Sequence, residues 1–307
     1  PSDLVAGIHG HDVHWTARPV KWPGRSDASP NTARKPCPGR ARAPAYYRLH
    51  DGTSKSPRRV SRARPCAMLF SMPHIHHFYV EPDAVQGTAA IVTGPEAHHA
   101  LHVVRVRRGD PVCLFDGLGR ELLGRILDAS RHDVTVEIAE ERNIQPEPRA
   151  LTLLQASLHR DKSTEELIRR CTEVGVRRFV FYPAERSEHP PRLTEKWRRW
   201  AIESCKQCGR LWLPEFSIAP GLESALTCPW SALIIATADE PPVPLRTAVH
   251  GDNVALAVGP EGDFTPDERA LALACDARPI SLGPAVFRAE VAATIAAALI
   301  RFELCAL

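Results

Sequence analysis

The sequence predicts an α/β protein: a parallel sheet covered by helices in the C-terminal half, preceded by a small β-rich domain and a basic extension. Three observations predict it. From Leu151 onward, short apolar runs alternate with helical patterns. From Phe78 to about Ile144 the apolar runs are short and separated by Gly- and Asp-bearing turns. The first 67 residues carry no sustained apolar period at all.

The extension comes first. It holds 13 Lys+Arg against 4 Asp+Glu and 9 of the 28 prolines, too little apolar surface to offset the entropy of ordering. Residues 1–71 are therefore expected to be disordered. A basic, acid-poor N-terminus also fits a transit peptide or a nucleic-acid-binding arm, but the prolines argue against an amphipathic targeting helix. Met68 and Met72 are the chain's two methionines and residue 1 is proline, which points to Met68 or Met72 as the natural start. Nine cysteines without regular spacing, and no secretory apolar region, fit reduced thiols in the cytoplasm. No apolar run approaches a membrane span, so no membrane partner is expected.

Over 72–145, Val112-Cys-Leu-Phe-Asp116-Gly117 and Asp133-Val-Thr-Val-Glu-Ile138 read as strands of a small barrel. Gln145-Pro-Glu-Pro148 disfavours both helix and sheet pairing and marks a domain boundary. The second domain, 149–307, opens with a strand from Leu151 to Ser157. A helix from Ser163 capped by Glu166, a strand from Phe179 to Tyr182 and a helix near Glu195 follow. Strands from Ala232 to Ala238 and from Val254 to Val258 complete the alternation, which predicts a parallel sheet.

Two glycine-bearing loops near the C-terminus carry the chemistry. They are Leu256-Ala-Val-Gly259-Pro260-Glu261-Gly262-Asp263-Phe264 and Ile280-Ser-Leu282-Gly283-Pro-Ala285-Val-Phe287-Arg288-Ala-Glu290. Each follows an apolar run and leads into a helix. Glycine lets backbone N–H groups and a helix N-terminus approach a ligand closely, and the short separation predicts one shared pocket. Thr265 as N-cap, Pro266 and Glu268 spell a capping box, so 259–263 is loop. The helix from Val291 to Leu299 is apolar on nearly every side, as in a core or subunit interface. Neither G-x-x-x-x-G-K-[ST] nor a G-x-G-x-x-G opening a β-α-β unit is present, which argues against NTPase and dehydrogenase chemistry.

Taken with Glu96-Ala-His-His-Ala-Leu-His-Val-Val-Arg105-Val-Arg-Arg-Gly109-Asp110, Leu114-Phe-Asp116-Gly117, Cys171-Thr-Glu173-Val-Gly175-Val, Ala184-Glu-Arg186-Ser187 and Cys205-Lys-Gln207-Cys-Gly209-Arg210, these loops resemble the SPOUT methyltransferases. The particular likeness is to the RsmE family, which methylates N3 of a uridine in 16S ribosomal RNA. The resemblance covers Met72 to the C-terminus. It implies a PUA-like RNA-binding barrel followed by a parallel sheet with a trefoil knot. It also implies a homodimer packed through the C-terminal helices, and the 30S subunit as partner. The methyl donor implied is S-adenosylmethionine, held by Leu256, Gly259, Pro260, Glu261, Gly262, Leu282, Gly283 and Phe287.

Methyl transfer to N3 needs alignment more than a nucleophile, and loss of the imide proton leaves charge that a cation would stabilise. Arg288 and Glu290 match the family here, Arg288 as that cation unless it is tied up by Glu290 or Glu261. Ala285 and Val291 stand where the family usually shows arginine and threonine, and Asp263 where it commonly shows glycine. The departures at Ala285 and Val291 motivate one alternative, a catalytically silent RNA-binding or ribosome-assembly factor; a SPOUT methyltransferase acting on another RNA site is the second.

RNA contact calls for cations that neutralise phosphates. The candidates are Arg105, Arg107, Arg108, Arg160, Lys162, Arg186 and Arg210, of which Arg105, Arg186 and Arg210 match family positions. Trp197 and Trp200 fall on one helical face and read as core rather than as a stacking platform. His98 and His102, and Cys205 and Cys208, are spaced like metal ligands, but zinc takes four and no second pair lies at suitable spacing, so no metal is expected.

Overall fold

The computed structural model describes residues 75–306. The basic extension, Met68 and Met72 lie outside them.

Strands β1 (His76–Tyr79), β2 (Val85–Gln86), β3 (Ala89–Val92), β4 (Pro111–Phe115), β5 (Arg120–Ala129) and β6 (Val134–Asn143) form one sheet in the order β1-β4-β5-β6-β3-β2. Only the β1–β4 pair is parallel. Alternation sets its inner face: Val134 and Val136 are buried while Glu137 is exposed. They pack with Phe78, Leu114, Leu122 and Ile126. Register shifts at Leu123/Gly124 and Ile126/Asp128 bend β5 around this core. A Cβ at Gly124 would lie 2.3 Å from the Glu137 carbonyl oxygen, so the bend requires glycine. Helix α1 (Gly94–His98) continues into a wider π-helical turn, His99–Val104.

The C-terminal domain is built on β7 (Ala150–Ala156), β8 (Arg178–Tyr182), β9 (Glu215–Ile218), β10 (Ala232–Ala236), β11 (Asn253–Val258) and β12 (Arg278–Ile280). Their order is β12-β10-β11-β7-β8-β9, with every pair parallel. One face packs against α2 (Asp161–Glu173), α3 (Glu195–Cys208), α5 (Leu245–Ala248) and α7 (Ala289–Ala306). The other packs against α4 (Leu222–Leu226) and α6 (Pro266–Ala274). Cover on both faces is why β7 and β11 are mostly apolar, with Thr152, Gln155 and Asn253 the polar exceptions.

Two helices differ from expectation. Helix α2 begins at Asp161, not Ser163: Arg160 is the extended residue before it, and Asp161 suits the positive end of the helix. Glu166 pairs with Arg170 at 3.1 Å instead of capping. Helix α7 runs to Ala306, past Leu299. Its Ala293, Ala296, Ala297, Ile300 and Leu304 face the sheet, whereas Leu299 and Phe302 are 44% and 69% exposed. Trp197 and Trp200 are buried in the core, as their spacing predicted. Among the described residues no helix is long and apolar enough to cross a membrane.

The two sheets meet through α3. Tyr79 and Phe115 pack on Ile202 and Cys205. Arg198 donates to the Glu81 carboxylate and the Tyr79 hydroxyl, and the buried Lys206 ammonium meets Glu96 at 3.0 Å. Gly117 and Gly119 have φ of +76° and +94°, and a Cβ at either would strike Leu213 or Trp212, so close docking depends on them.

Candidate active site

Because β10, β11 and β12 are parallel, their following loops emerge at one edge of the sheet, the usual place for a ligand in such folds. Loops 236–239, 259–265 and 281–288 together enclose a cavity of about 250 Å³. Gly259, Pro260, Glu261 and Asp263 line it from one side. Leu282, Gly283, Ala285 and Phe287 line it from the other, with Ala289 and Ala292 of α7 below. The two glycine loops thus reach a single pocket.

The first loop is anchored by side chains distant in sequence. Tyr182 Oη donates to the Val258 carbonyl at 3.1 Å, and Gln155 Nε2 donates to the Gly259 and Ala156 carbonyls, each at 3.1 Å. Burial pushes the Tyr182 phenol well above its ordinary pKa, so it stays a donor. Among the described residues Gln155 Oε1 has no hydrogen-bond partner, and the two carbonyl acceptors fix which end of the amide is nitrogen. Arg186 Nη1 donates to the Gly262 carbonyl at 2.6 Å and more weakly to that of Phe264. The capping box closes the loop: Thr265 N donates to Glu268 Oε2 and Glu268 N to Thr265 Oγ1. Asp263 sits at φ +58°, a left-handed position that explains why glycine suits it. Its Oδ1 accepts from Phe264 N at 2.7 Å, which offsets part of that strain.

The second loop is held lightly. Gly283 has φ +105° and its N–H donates to Ser281 Oγ at 3.2 Å. Val286 is 97% exposed. The Arg288 carbonyl accepts from Val291 N and Ala292 N, starting α7, while its side chain is exposed. Among the described residues, Arg288 forms no ion pair. Glu261 Oε1 instead accepts from His159 N at 3.0 Å. Glu290 is buried in the first turn of α7, where the helix dipole favours a carboxylate.

Residues 145–301, half of the chain, match the RNA methyltransferase domain family, and residues 92–139 match the RNA methyltransferase PUA domain. A Synechocystis protein named Ribosomal RNA small subunit methyltransferase E is 29% identical over 233 residues, covering 73% of this chain and 76% of that protein. The chain belongs to the RsmE family of RNA methyltransferases. A Mycobacterium bovis protein of the same name is 28% identical over 71% of this chain and 88% of its own length. Among solved structures, a probable rRNA-methyltransferase from Porphyromonas gingivalis superposes with TM-score 0.68 at 29% identity, over 76% of this chain and all of that one. A Legionella pneumophila protein, described as a putative methyltransferase in complex with the bound cofactor SAM, gives TM-score 0.66 at 25% identity, over 75% and 98% of the two chains.

The remaining expected residues of this RsmE-family chain fall in distinct places. Leu256 is buried within β11 between Ile234 and Leu153, away from the cavity lining. Gly262 faces Arg186, where a Cβ would lie 3.3 Å from its Cδ. Arg105, at φ +62°, and Arg107 and Arg108 are exposed on the barrel, and Arg160 and Lys162 at the start of α2. None of these five forms an ion pair among the described residues. Arg210 is different: its Nη1 donates to the Thr172 and Val176 carbonyls at 2.6 and 3.0 Å, and desolvation lowers its pKa. It closes the end of α2, which removes it from the expected phosphate contacts. Cys205 is buried with its thiol pushed up to about 12, while Cys208 is exposed.

Sequence reasoning missed loop 236–239 with Thr237 and Asp239, and the anchors Gln155 and Tyr182. A polar residue near the end of a mostly apolar strand, as Gln155 is in β7, is the signal that pointed there.

Proposed function

We propose that this protein transfers a methyl group from S-adenosylmethionine to N3 of a uridine in 16S rRNA of the 30S subunit. The observation that carries the reading is the meeting of both glycine loops at one cavity, in a chain of the RsmE family. The cavity fits the donor: its wall is mostly backbone and small apolar side chains, and a Cβ at Gly259 would crowd Phe264 N at 3.0 Å. S-adenosylmethionine supplies the electrophilic methyl carbon. Gly259, Pro260, Glu261, Leu282, Gly283 and Phe287 orient it, and alignment with N3 provides much of the rate enhancement.

Arg288, exposed and free of ion pairs among the described residues, stabilises the charge that develops on the uracil as N3 loses its proton. Glu290, buried beneath it at the start of α7, supports that turn. Arg105, Arg107, Arg108, Arg160 and Lys162 neutralise RNA phosphates, and Arg186 fixes the loop. A second copy covers the exposed apolar side chains Leu299 and Phe302 of α7, giving a cytoplasmic homodimer with the knotted threading of its family.

Calorimetry with S-adenosylmethionine, followed by transfer of labelled methyl to rRNA in 30S particles lacking the modification, tests the reading. Binding and transfer together are expected. Ala285 lines the cavity where the family usually shows arginine, so RNA binding without donor binding would instead establish a silent RNA-binding factor.

A further inference from the structure

Beside the donor cavity, two loops leave the same edge of the sheet, one after β7 carrying His159 and one after β8 carrying Glu188 and His189. They are stitched together. Ser187 Oγ donates to the Ser157 carbonyl at 3.0 Å and accepts from Ala184 N at 3.2 Å. Ser187 N also donates to the Ala184 carbonyl, folding the second loop on itself. On the other loop, the amide of His159 is held by Glu261. Pro190 and Pro191 follow His189 and restrict the backbone just beyond it.

This scaffold gathers donor atoms. One atom each from His159, Glu188 and His189 lies within 4.8 Å of the other two. His159 Nδ1 is 2.6 Å from Glu188 Oε2, and the imidazole rings of His159 and His189 are 6.1 Å apart and inclined by 26°. All three side chains are exposed, so an ion can reach them and they can rotate.

We propose that His159, Glu188 and His189 form a binding site for a divalent cation of the zinc class, with water completing its coordination. Two imidazole nitrogens and one carboxylate oxygen suit such a borderline ion, whereas magnesium and calcium prefer all-oxygen sets. Metal–ligand bonds of about 2.0–2.1 Å at tetrahedral angles put donor atoms about 3.3 Å apart. That spacing lies between the 2.6 Å His159–Glu188 contact and the 4.8 Å within which all three donor atoms already fall. The ion clasps the loop after β7 to the loop after β8, next to Glu261 of the donor cavity. The proposal stands apart from the methyl-transfer reading, since the ion touches neither glycine loop directly.

Zinc titration of the full 307-residue chain by calorimetry, in a non-chelating reducing buffer, tests it against H159A/H189A, E188Q and H98A/H102A. The last variant removes another histidine pair, whose rings lie 4.6 Å apart. The wild type and H98A/H102A should both bind one more zinc equivalent than H159A/H189A, and E188Q should bind that equivalent about tenfold more weakly or worse. Magnesium should show no such difference. Melting curves without metal should coincide for all variants, because the substituted side chains are exposed, so a missing equivalent reports a missing ligand and not a lost fold. Equal zinc stoichiometry and affinity in wild type and H159A/H189A would overturn the proposal.

Discussion

Replacing Gln155 with leucine separates the anchoring of the donor loop from the stability of the fold. The side chain is fully buried, and its Nε2 bonds to the Gly259 and Ala156 carbonyls. At about 1 kcal/mol net each, losing both costs about 2 kcal/mol. The same substitution removes Oε1, buried without a partner among the described residues, and relieves a desolvation penalty of about 1–3 kcal/mol. Leucine has a similar volume, so little cavity is created. Overall stability should therefore change by less than about 1 kcal/mol, measured by urea unfolding. Gly259, at the cavity wall, loses its anchor. A misplaced loop should weaken S-adenosylmethionine binding about tenfold, or about 1.4 kcal/mol, by calorimetry. Donor affinity within twofold of wild type, with the fold intact, would show that the loop holds its shape without Gln155.

Three further outcomes follow from the same geometry. Arg288→Ala should lower kcat by about 100-fold while leaving donor affinity within about threefold, as expected for a cation acting on transition-state charge; a rise in the donor Kd with kcat unchanged would assign Arg288 to binding. Burial pushes the Cys113, Cys171 and Cys205 thiols up to about 12, so at pH 8 iodoacetamide should label the exposed Cys208, Cys228 and Cys305 and spare those three, as read by peptide mass spectrometry. Burial also lowers the pKa of His77 below 6.5, so the folded state takes up its proton less readily than the unfolded chain. The contribution is complete above the unfolded value of about 6.5 and is lost as pH falls through the lowered folded value; His77→Asn should flatten the decline in stability across that acidic window, and an unchanged slope would discount the residue.

What could be read from the chain divides by the range of the interaction. The capping box of Thr265 and Glu268 was legible because donor and acceptor lie within four residues, and it appears in the structure as written. The buried strands were legible because cover on both faces makes them predominantly apolar. Strand β9 escaped because it is an edge strand with exposed side chains and no apolar run. The anchors escaped for another reason: Tyr182 and Gln155 reach Val258 and Gly259 across 76 and 104 residues of sequence, through a strand order that places β11 beside β7. No local pattern encodes that neighbourhood. Arg210 shows the converse, since a cation that ends a helix and one that meets a phosphate look alike until the carbonyls of Thr172 and Val176 are in place.

The identity of the methylated nucleoside decides what this protein does. Incubating the protein and S-adenosylmethionine with 30S particles that lack the modification, then digesting the 16S rRNA for mass spectrometry, should yield N3-methyluridine. Methyl label on another base or on ribose, or no label despite donor binding, would contradict the account.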